Sequence, residues 1–207
     1  MVSDPDQTAR ANIRASALEL FASRGPDAVS IREIAAAAGV SPGLVLHHYG
    51  SKQGLRDSVD EYVASFFEVL TKSSMAEMAQ PGADTPGVAS GFAESLISHL
   101  PPGSPIPAYL RRLLLLDDPA GRQIFRAWYE LTLALTKQGI AQGSMKPTSD
   151  LEVRAAFLMV NDLATMLLHK NLAAVVGVDP LTPDGIARWA ADAIDAYSTG
   201  VFRLEKE

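Results

Sequence analysis

Apolar residues recur at intervals of three and four over most of the chain, which is the period of helices packed along one face. The first such segment covers residues 9–22, where Ile13, Ala17 and Phe21 share one side. No segment alternates strictly between apolar and polar positions, which would be the pattern of a half-buried strand. The chain is therefore predicted to be all-α, with about nine helices, and residues 1–8 are expected to be disordered.

Turns that contain glycine or proline separate the later helical segments. The segment 150–176 is apolar over most of its circumference, so other parts of the protein must cover it on several sides. The pattern predicts helices over residues 9–22, 31–38, 42–49, 52–79, 91–100, 108–117, 119–142, 150–176 and 183–204.

The most informative stretch reads SIREIAAAAGVSPGLVLHHYGSK. Ser30 and Glu33 have the spacing of a capping box that opens a helix. Gly39 follows the last apolar position, where a left-handed residue ends many helices. Ser41 and Pro42 then supply the cap and the first residue of a second short helix. Helix, glycine turn and helix form the outline of a helix-turn-helix, whose second helix enters the major groove of DNA.

The string IAAAAGVSPGLVLHHYGSKQGL is more specific than this outline. Residues 9–55 resemble the N-terminal DNA-binding domain of the tetracycline-repressor (TetR) family of transcriptional regulators. The resemblance implies a DNA-binding domain over residues 1–51 and a helical regulatory domain over 52–207. The matching positions are Leu20, Phe21, Gly25, Ile34, Ala35, Ala38, Gly39, Val40, Ser41, Gly43, His48, Tyr49, Ser51, Lys52 and Leu55.

The resemblance also implies which residues contact double-stranded operator DNA. In the family, the second helix of the motif touches bases and phosphates, the position of Arg32 often contacts DNA, and that of Lys52 pairs with a phosphate. The fork of an arginine matches O6 and N7 of guanine, so Arg32 is the candidate for direct base reading. The candidate DNA-binding residues are Ser30, Arg32, Ser41, Pro42, Gly43, Leu44, Leu46, His47, His48 and Lys52.

Two of these residues depart from the common pattern of the family. Threonine usually stands at the position of Leu44, and tyrosine at that of Leu46. Both departures remove hydroxyl groups that bond to phosphate or base, although Leu44 can instead touch a thymine methyl group. They leave DNA binding as the expectation and put any transferred operator sequence in doubt.

For residues 52–207, the resemblance implies a small-molecule site among the central helices and a homodimer through the last two long helices. The segments 150–176 and 183–204 themselves hold more apolar surface than one monomer is expected to cover, so two such pairs would form a four-helix interface. The alternative is that both segments complete the core of a monomer. A small-molecule site is mostly apolar with a few polar groups. Its candidates, each of which could also be an ordinary core residue, are Phe66, Phe67, Phe92, His99, Tyr109, Trp128, Tyr129, Asn161, Asp162 and His169.

Net charge is −6, but the acidic excess lies outside the motif. Residues 1–56 hold six basic and five acidic residues, and the rest of the chain holds 12 basic and 19 acidic ones. DNA affinity depends on charge near the phosphates, so the whole-chain balance does not exclude a nucleic-acid partner. The small local excess predicts weak non-specific binding.

Several classes of protein are disfavoured by what the sequence lacks. Cysteine is absent, which excludes disulfides and thiolate chemistry. His47 and His48 are adjacent, so on a helix their rings diverge and are poorly placed to hold one metal ion. No nucleophile-elbow, zinc-protease or nucleotide-loop motif occurs. We expect no enzyme activity, cofactor, metal or membrane span, and a cytoplasmic location.

The sequence thus predicts a sequence-specific transcriptional regulator, a repressor released from its operator by a small, largely apolar effector. The long helix over 52–79 would transmit the change to the DNA-binding domain. The alternative is a small-molecule-binding or protein-interaction module with a vestigial helix-turn-helix.

Overall fold

The structure, a computed structural model, describes residues 5–78, 100 and 103–199. These residues form helices and contain no strand, as the pattern predicted. The helices are α1 (Pro5–Arg24), α2 (Ile31–Ala38), α3 (Pro42–Tyr49), α4 (Lys52–Met78), α5 (Ile106–Leu115), α6 (Pro119–Gln142), α7 (Leu151–Leu167), α8 (His169–Val176) and α9 (Pro183–Thr199).

The helix predicted over 108–117 is shifted to 106–115, and two other predicted helices differ more from the structure. Helix α1 begins at Pro5, within residues expected to be disordered, because proline suits the first helical position and Asp6 suits the positive end of the helix dipole. The segment 150–176 is two helices, since Leu168 leaves helical geometry with φ −106° and ψ 12°. The helix predicted over 91–100 lies outside the described residues apart from Leu100, as does the end of the helix predicted to reach 204.

The first three helices enclose a small core. Ile13, Phe21, Ile34 and Val45 are fully buried, and α1 packs against both α2 and α3. Two long-range hydrogen bonds tie the last residues of α2 and α3 to one turn of α1. Asn12 Nδ2 donates to the Ala38 carbonyl at 2.9 Å, and the Tyr49 hydroxyl donates to the Arg10 carbonyl at 2.7 Å. The relative positions of α2 and α3 are therefore set by α1.

A polar network joins α4 to the turn between α5 and α6. The Arg56 guanidinium donates to the Asp118 carboxylate and lies 3.8 Å from Asp60 Oδ2. The buried Tyr109 hydroxyl donates to Asp60 Oδ1 at 2.5 Å, and its ring stacks on Phe21 with 6.5 Å between centroids. Burial, followed by the bond to Asp60, raises the pKa of Tyr109, so the phenol stays protonated and remains a donor.

The described residues divide into two compact units. Those up to Thr71 form one unit together with Gly103–Trp128, and those from Lys72 and from Tyr129 onward belong to the other. The unit that holds the helix-turn-helix is larger than the DNA-binding domain inferred from sequence (1–51), because side chains of α4 and α5 complete its core. No described helix has both the length and the apolar character needed to cross a bilayer.

Candidate nucleic-acid interface

Helix α2 starts with the predicted capping box. Ser30 Oγ accepts the Glu33 N–H at 3.3 Å, and Glu33 Oε2 accepts the Ser30 N–H at 2.7 Å. Arg24 Nη2 donates to the other carboxylate oxygen of Glu33 at 2.7 Å. The hydrogen bonds from Ser30, and then the one from Arg24, lower the pKa of Glu33 to about 2. An ionised Glu33 thus fixes the first turn of α2, which carries the exposed Arg32.

The turn between α2 and α3 also has the geometry that its residues predict. Gly39 is left-handed, with φ 68° and ψ 29°, a conformation that residues with a Cβ atom seldom adopt. The N–H of Val40 donates back to the Ala35 carbonyl at 2.9 Å. Ser41 then caps α3, since its Oγ accepts the Leu44 N–H at 3.2 Å. Local chemistry therefore fixes the angle at which α3 leaves α2.

Helix α3 has one buried side and one open side. Val45 and Tyr49, four residues apart, are buried in the three-helix core. Leu44 and His48 lie at the boundary and are partly buried. The open side consists of Pro42, Gly43, Leu46 and His47.

The predicted contacts differ in how easily DNA could reach them. Arg32 is exposed, and Lys52 lines a surface pocket of about 280 Å³ at the start of α4. The side chain of His48 is only 5% exposed, and its Nε2 lies 3.6 Å from Asp6 Oδ1. The Ser30 hydroxyl already donates to Glu33 at 2.7 Å. His48 and Ser30 are thus the least available of the ten candidates.

Gly54 supports the interface, although the sequence reasoning did not single it out. A Cβ atom at this position would lie 2.3 Å from the Tyr49 carbonyl oxygen, so the first turn of α4 approaches the end of α3 more closely than a side chain allows. Ser51 Oγ accepts the Gly54 N–H at 3.0 Å and caps α4. The sequence feature that could have revealed Gly54 is its place in the first turn of a predicted helix. Glycine is unfavourable in a helix, so its presence there indicates that another part of the chain comes close.

Four aromatic candidates for effector binding, Phe66, Phe67, Tyr109 and Trp128, form contacts in the first compact unit. Phe67 and Trp128 are buried against each other, with 5.5 Å between ring centroids. Phe66 is partly buried and meets Phe67 edge to face. Tyr109 is buried and bonded to Asp60 as described.

Four other candidates, Tyr129, Asn161, Asp162 and His169, lie in the second unit, in separate environments. Asn161 Nδ2 donates to the Tyr197 hydroxyl at 2.8 Å. Neighbouring protein atoms keep water from part of the Asp162 carboxyl and raise its pKa to about 6, although the residue as a whole is exposed in the single chain. His169 Nδ1 lies 3.0 Å from both carboxylate oxygens of Asp179. Tyr129 is partly buried, and Phe92 and His99 lie outside the described residues.

A wide pocket of about 800 Å³ opens between α7 and α9 in the second unit. Phe157 and Asn161 line it from α7, and Arg188, Trp189 and Tyr197 line it from α9. Of the effector candidates, Asn161 lines this pocket, and the effector site as a whole stays a prediction.

Comparison with known proteins identifies both parts of the chain. Residues 13–59 match the bacterial regulatory proteins of the tetR family, and residues 103–203 match the tetracyclin repressor-like C-terminal domain. The chain is 33% identical over 167 residues to the HTH-type transcriptional regulatory protein RaaS of Mycobacterium tuberculosis, covering 81% of this chain and 74% of RaaS. It is 27% identical over 161 residues to the HTH-type transcriptional repressor KstR2 of Rhodococcus jostii, covering 72% of each.

A solved structure gives the same fold. FadR of Bacillus subtilis, a transcriptional regulator in complex with stearoyl-CoA, superposes with a TM-score of 0.67 at 14% identity, covering 93% of this chain and 99% of FadR. The N-terminal match spans α2 and α3, so the helix-turn-helix lies where the capped helices and the open face of α3 were found. The chain therefore belongs to the tetracycline-repressor (TetR) family of DNA-binding transcriptional regulators.

Proposed function

We propose that the chain is a dimeric repressor that places helix α3 of each copy in the major groove of a roughly palindromic operator and is released by a small molecule. The observation that carries the proposal is the open side of α3, held by caps and a buried opposite side. The two half-sites would lie about 35 Å apart, or one helical turn of DNA.

Arg32 and Lys52 have different parts in this proposal. Arg32, on the exposed first turn of α2, would read guanine through its two-pronged guanidinium. Lys52, whose Nζ donates weakly to the Asp27 carbonyl at 3.4 Å, would turn to a phosphate. The Ser41 hydroxyl accepts the cap hydrogen bond and keeps its own proton for a phosphate oxygen.

The proposed dimer rests on apolar faces of α7 and α9 that the single chain leaves open. Val153, Phe157 and Val160 follow one another along the exposed side of α7, and Ile194 and Tyr197 do so on α9. The opposite side of α7 is buried in the chain itself. Two copies that pair these helices would cover the exposed side with a four-helix interface.

The proposed effector is a molecule with an apolar body. FadR of Bacillus subtilis, with the same fold, holds stearoyl-CoA, so long-chain acyl-CoA is the first compound to test. If effector and operator are coupled, operator DNA must weaken effector binding by the same factor as the effector weakens operator binding. Equal effector affinity with and without operator would refute induction and leave DNA binding intact.

The DNA contacts are tested by fluorescence anisotropy, with DNA from upstream of the coding region compared with a scrambled duplex over a range of salt. Arg32→Ala should cost about 1–3 kcal/mol on the preferred sequence and relax base preference. Lys52→Ala should weaken binding to all sequences alike and reduce the salt slope by about one. The exposed Arg126 on α6 provides the matched control, since Arg126→Ala should bind as the parent does. Parental binding by both test variants would refute these contacts.

Leucines 44 and 46 favour a second candidate, a module whose helix-turn-helix no longer binds DNA, because the family's hydroxyl groups are missing there. This candidate predicts the same affinity for upstream and scrambled DNA at every salt concentration. Sequence-specific, salt-sensitive binding would exclude it.

A further inference from the structure

Leu46 is a large apolar side chain on the surface that the proposed operator would cover. It is 46% exposed, and its neighbours one turn earlier on the open side are Pro42 and Gly43, which project little. Leucine side chains in helices lean toward the N-terminal end, so Leu46 is directed toward the first turn of α3. The N-terminal part of a recognition helix is also the part that meets base edges.

The open side of α3 offers few groups for hydrogen bonding to bases. Among the residues of α3, all of which are described, His47 is the exposed one with a polar side chain. The Ser41 hydroxyl accepts the cap hydrogen bond at the start of the helix, and its proton is assigned above to a phosphate oxygen rather than to a base. Leu44 is partly buried, which leaves Leu46 as the most accessible long side chain beside His47. An apolar group on this surface gains by meeting an apolar group of the DNA.

We propose that Leu46 recognises the 5-methyl group of a pyrimidine, in ordinary DNA a thymine, in each half-site of the operator. The thymine methyl is the apolar feature of the major groove, and it distinguishes T from the other bases there. In this arrangement Arg32 on α2 recognises a guanine through hydrogen bonds, and Leu46 on α3 recognises the methyl group. The inference rests on the proposed function, since it concerns the same DNA-binding surface.

The test removes methyl groups from the DNA and leaves the protein unchanged. An operator recovered with the full-length protein from random duplexes is resynthesised with deoxyuridine in place of each thymine in turn, at symmetric positions of both half-sites. At one position the replacement should weaken binding about fourfold for each methyl group removed, because burying one methyl group raises affinity by about that factor. Cytosine at that position should bind more weakly than 5-methylcytosine, which carries the same methyl group.

The protein variants assign the effect to a residue. Leu46→Ala should bind the thymine operator about 16-fold more weakly, which is fourfold for each of the two half-sites. It should no longer distinguish deoxyuridine from thymine at the sensitive position. Val69, an exposed apolar residue of α4 (59%), provides the control, and Val69→Ala should keep the parental discrimination. Leu46→Met, which keeps an apolar side chain of similar size, should retain most of it.

The outcomes separate this inference from the proposed function. Specific operator binding in which every deoxyuridine duplex binds within twofold of the thymine duplex overturns the methyl reading alone. An unchanged deoxyuridine penalty in Leu46→Ala also overturns it, because another residue then reads the methyl group. If no sequence is recovered from the random duplexes, the proposed function fails and this inference fails with it.

Discussion

Replacing Phe157 by alanine should dissociate the proposed dimer. Phe157 lies on the open side of α7 and is 63% exposed in the single chain. A phenylalanine buries roughly 150–250 Å², so about 95–160 Å² remains for a partner to cover. At about 25 cal/mol per Å² this area corresponds to roughly 2.5–4 kcal/mol for each side chain. A symmetric interface contains two copies of Phe157, and alanine keeps part of the contact, so the dimer dissociation constant should rise at least about 100-fold.

Sedimentation equilibrium over a wide range of protein concentration measures this constant directly. The control is Leu115→Ala on α5, because Leu115 is also exposed (77%) but lies outside α7 and α9. It should leave the dimer unchanged, and both variants should keep the parental helix content by circular dichroism. A Phe157→Ala protein that dimerises like the parent, or equal weakening by Leu115→Ala, would refute the assignment of α7 and α9 as the interface.

Two further predictions concern the support of the helix-turn-helix. Gly54→Ala should destabilise the protein by about 1–3 kcal/mol in urea unfolding and weaken DNA binding, since the new Cβ would lie 2.3 Å from the Tyr49 carbonyl oxygen. Gly43→Ala, where the nearest atom is at 3.8 Å, should match or slightly exceed parental stability, because alanine favours helix more than glycine does. A Gly54→Ala protein as stable as the parent would contradict the close approach. The pKa of Glu33 is lowered from 4.5 to about 2, so its stabilisation is fully present above pH 4.5 and is lost as the pH falls toward 2. The stability difference between the parent and Glu33→Gln should therefore shrink over that range, and a difference independent of pH would be the contrary result.

The helix-turn-helix could be predicted from sequence because its geometry is set by neighbouring residues. Ser30 and Glu33 form their capping box within one turn, and Gly39 takes the left-handed conformation expected after a helix. Ser41 caps the next helix through the Leu44 N–H. Each of these interactions spans at most three residues along the chain, so the order of residues suffices to place them.

Interactions between distant residues could not be predicted in the same way. Arg56 and Asp118 are 62 positions apart, and nothing in the local pattern of either segment indicates that they meet. Gly54 is required because the Tyr49 carbonyl of the preceding helix lies close to it. The spacing of apolar residues carries no information about such a backbone contact. The break at Leu168 was missed because one distorted residue leaves the spacing of the apolar residues unchanged.

Helix α7 shows a further limit of pattern reading. Val153, Phe157 and Val160 are exposed in the single chain, whereas Leu163, at the same helical spacing, is buried together with Met159 and Met166. The sequence predicts that several sides of this helix must be covered. It does not indicate which side the chain covers itself, and the exposed side is the one assigned to the proposed dimer.

The central claim, that two copies of the chain read a specific DNA sequence, is tested most directly by selection of random double-stranded DNA on the purified protein at two salt concentrations. The account predicts one enriched palindromic sequence at both concentrations, with half-sites centred about one helical turn apart. Enrichment of no sequence, or binding that salt removes equally from all duplexes, would contradict it.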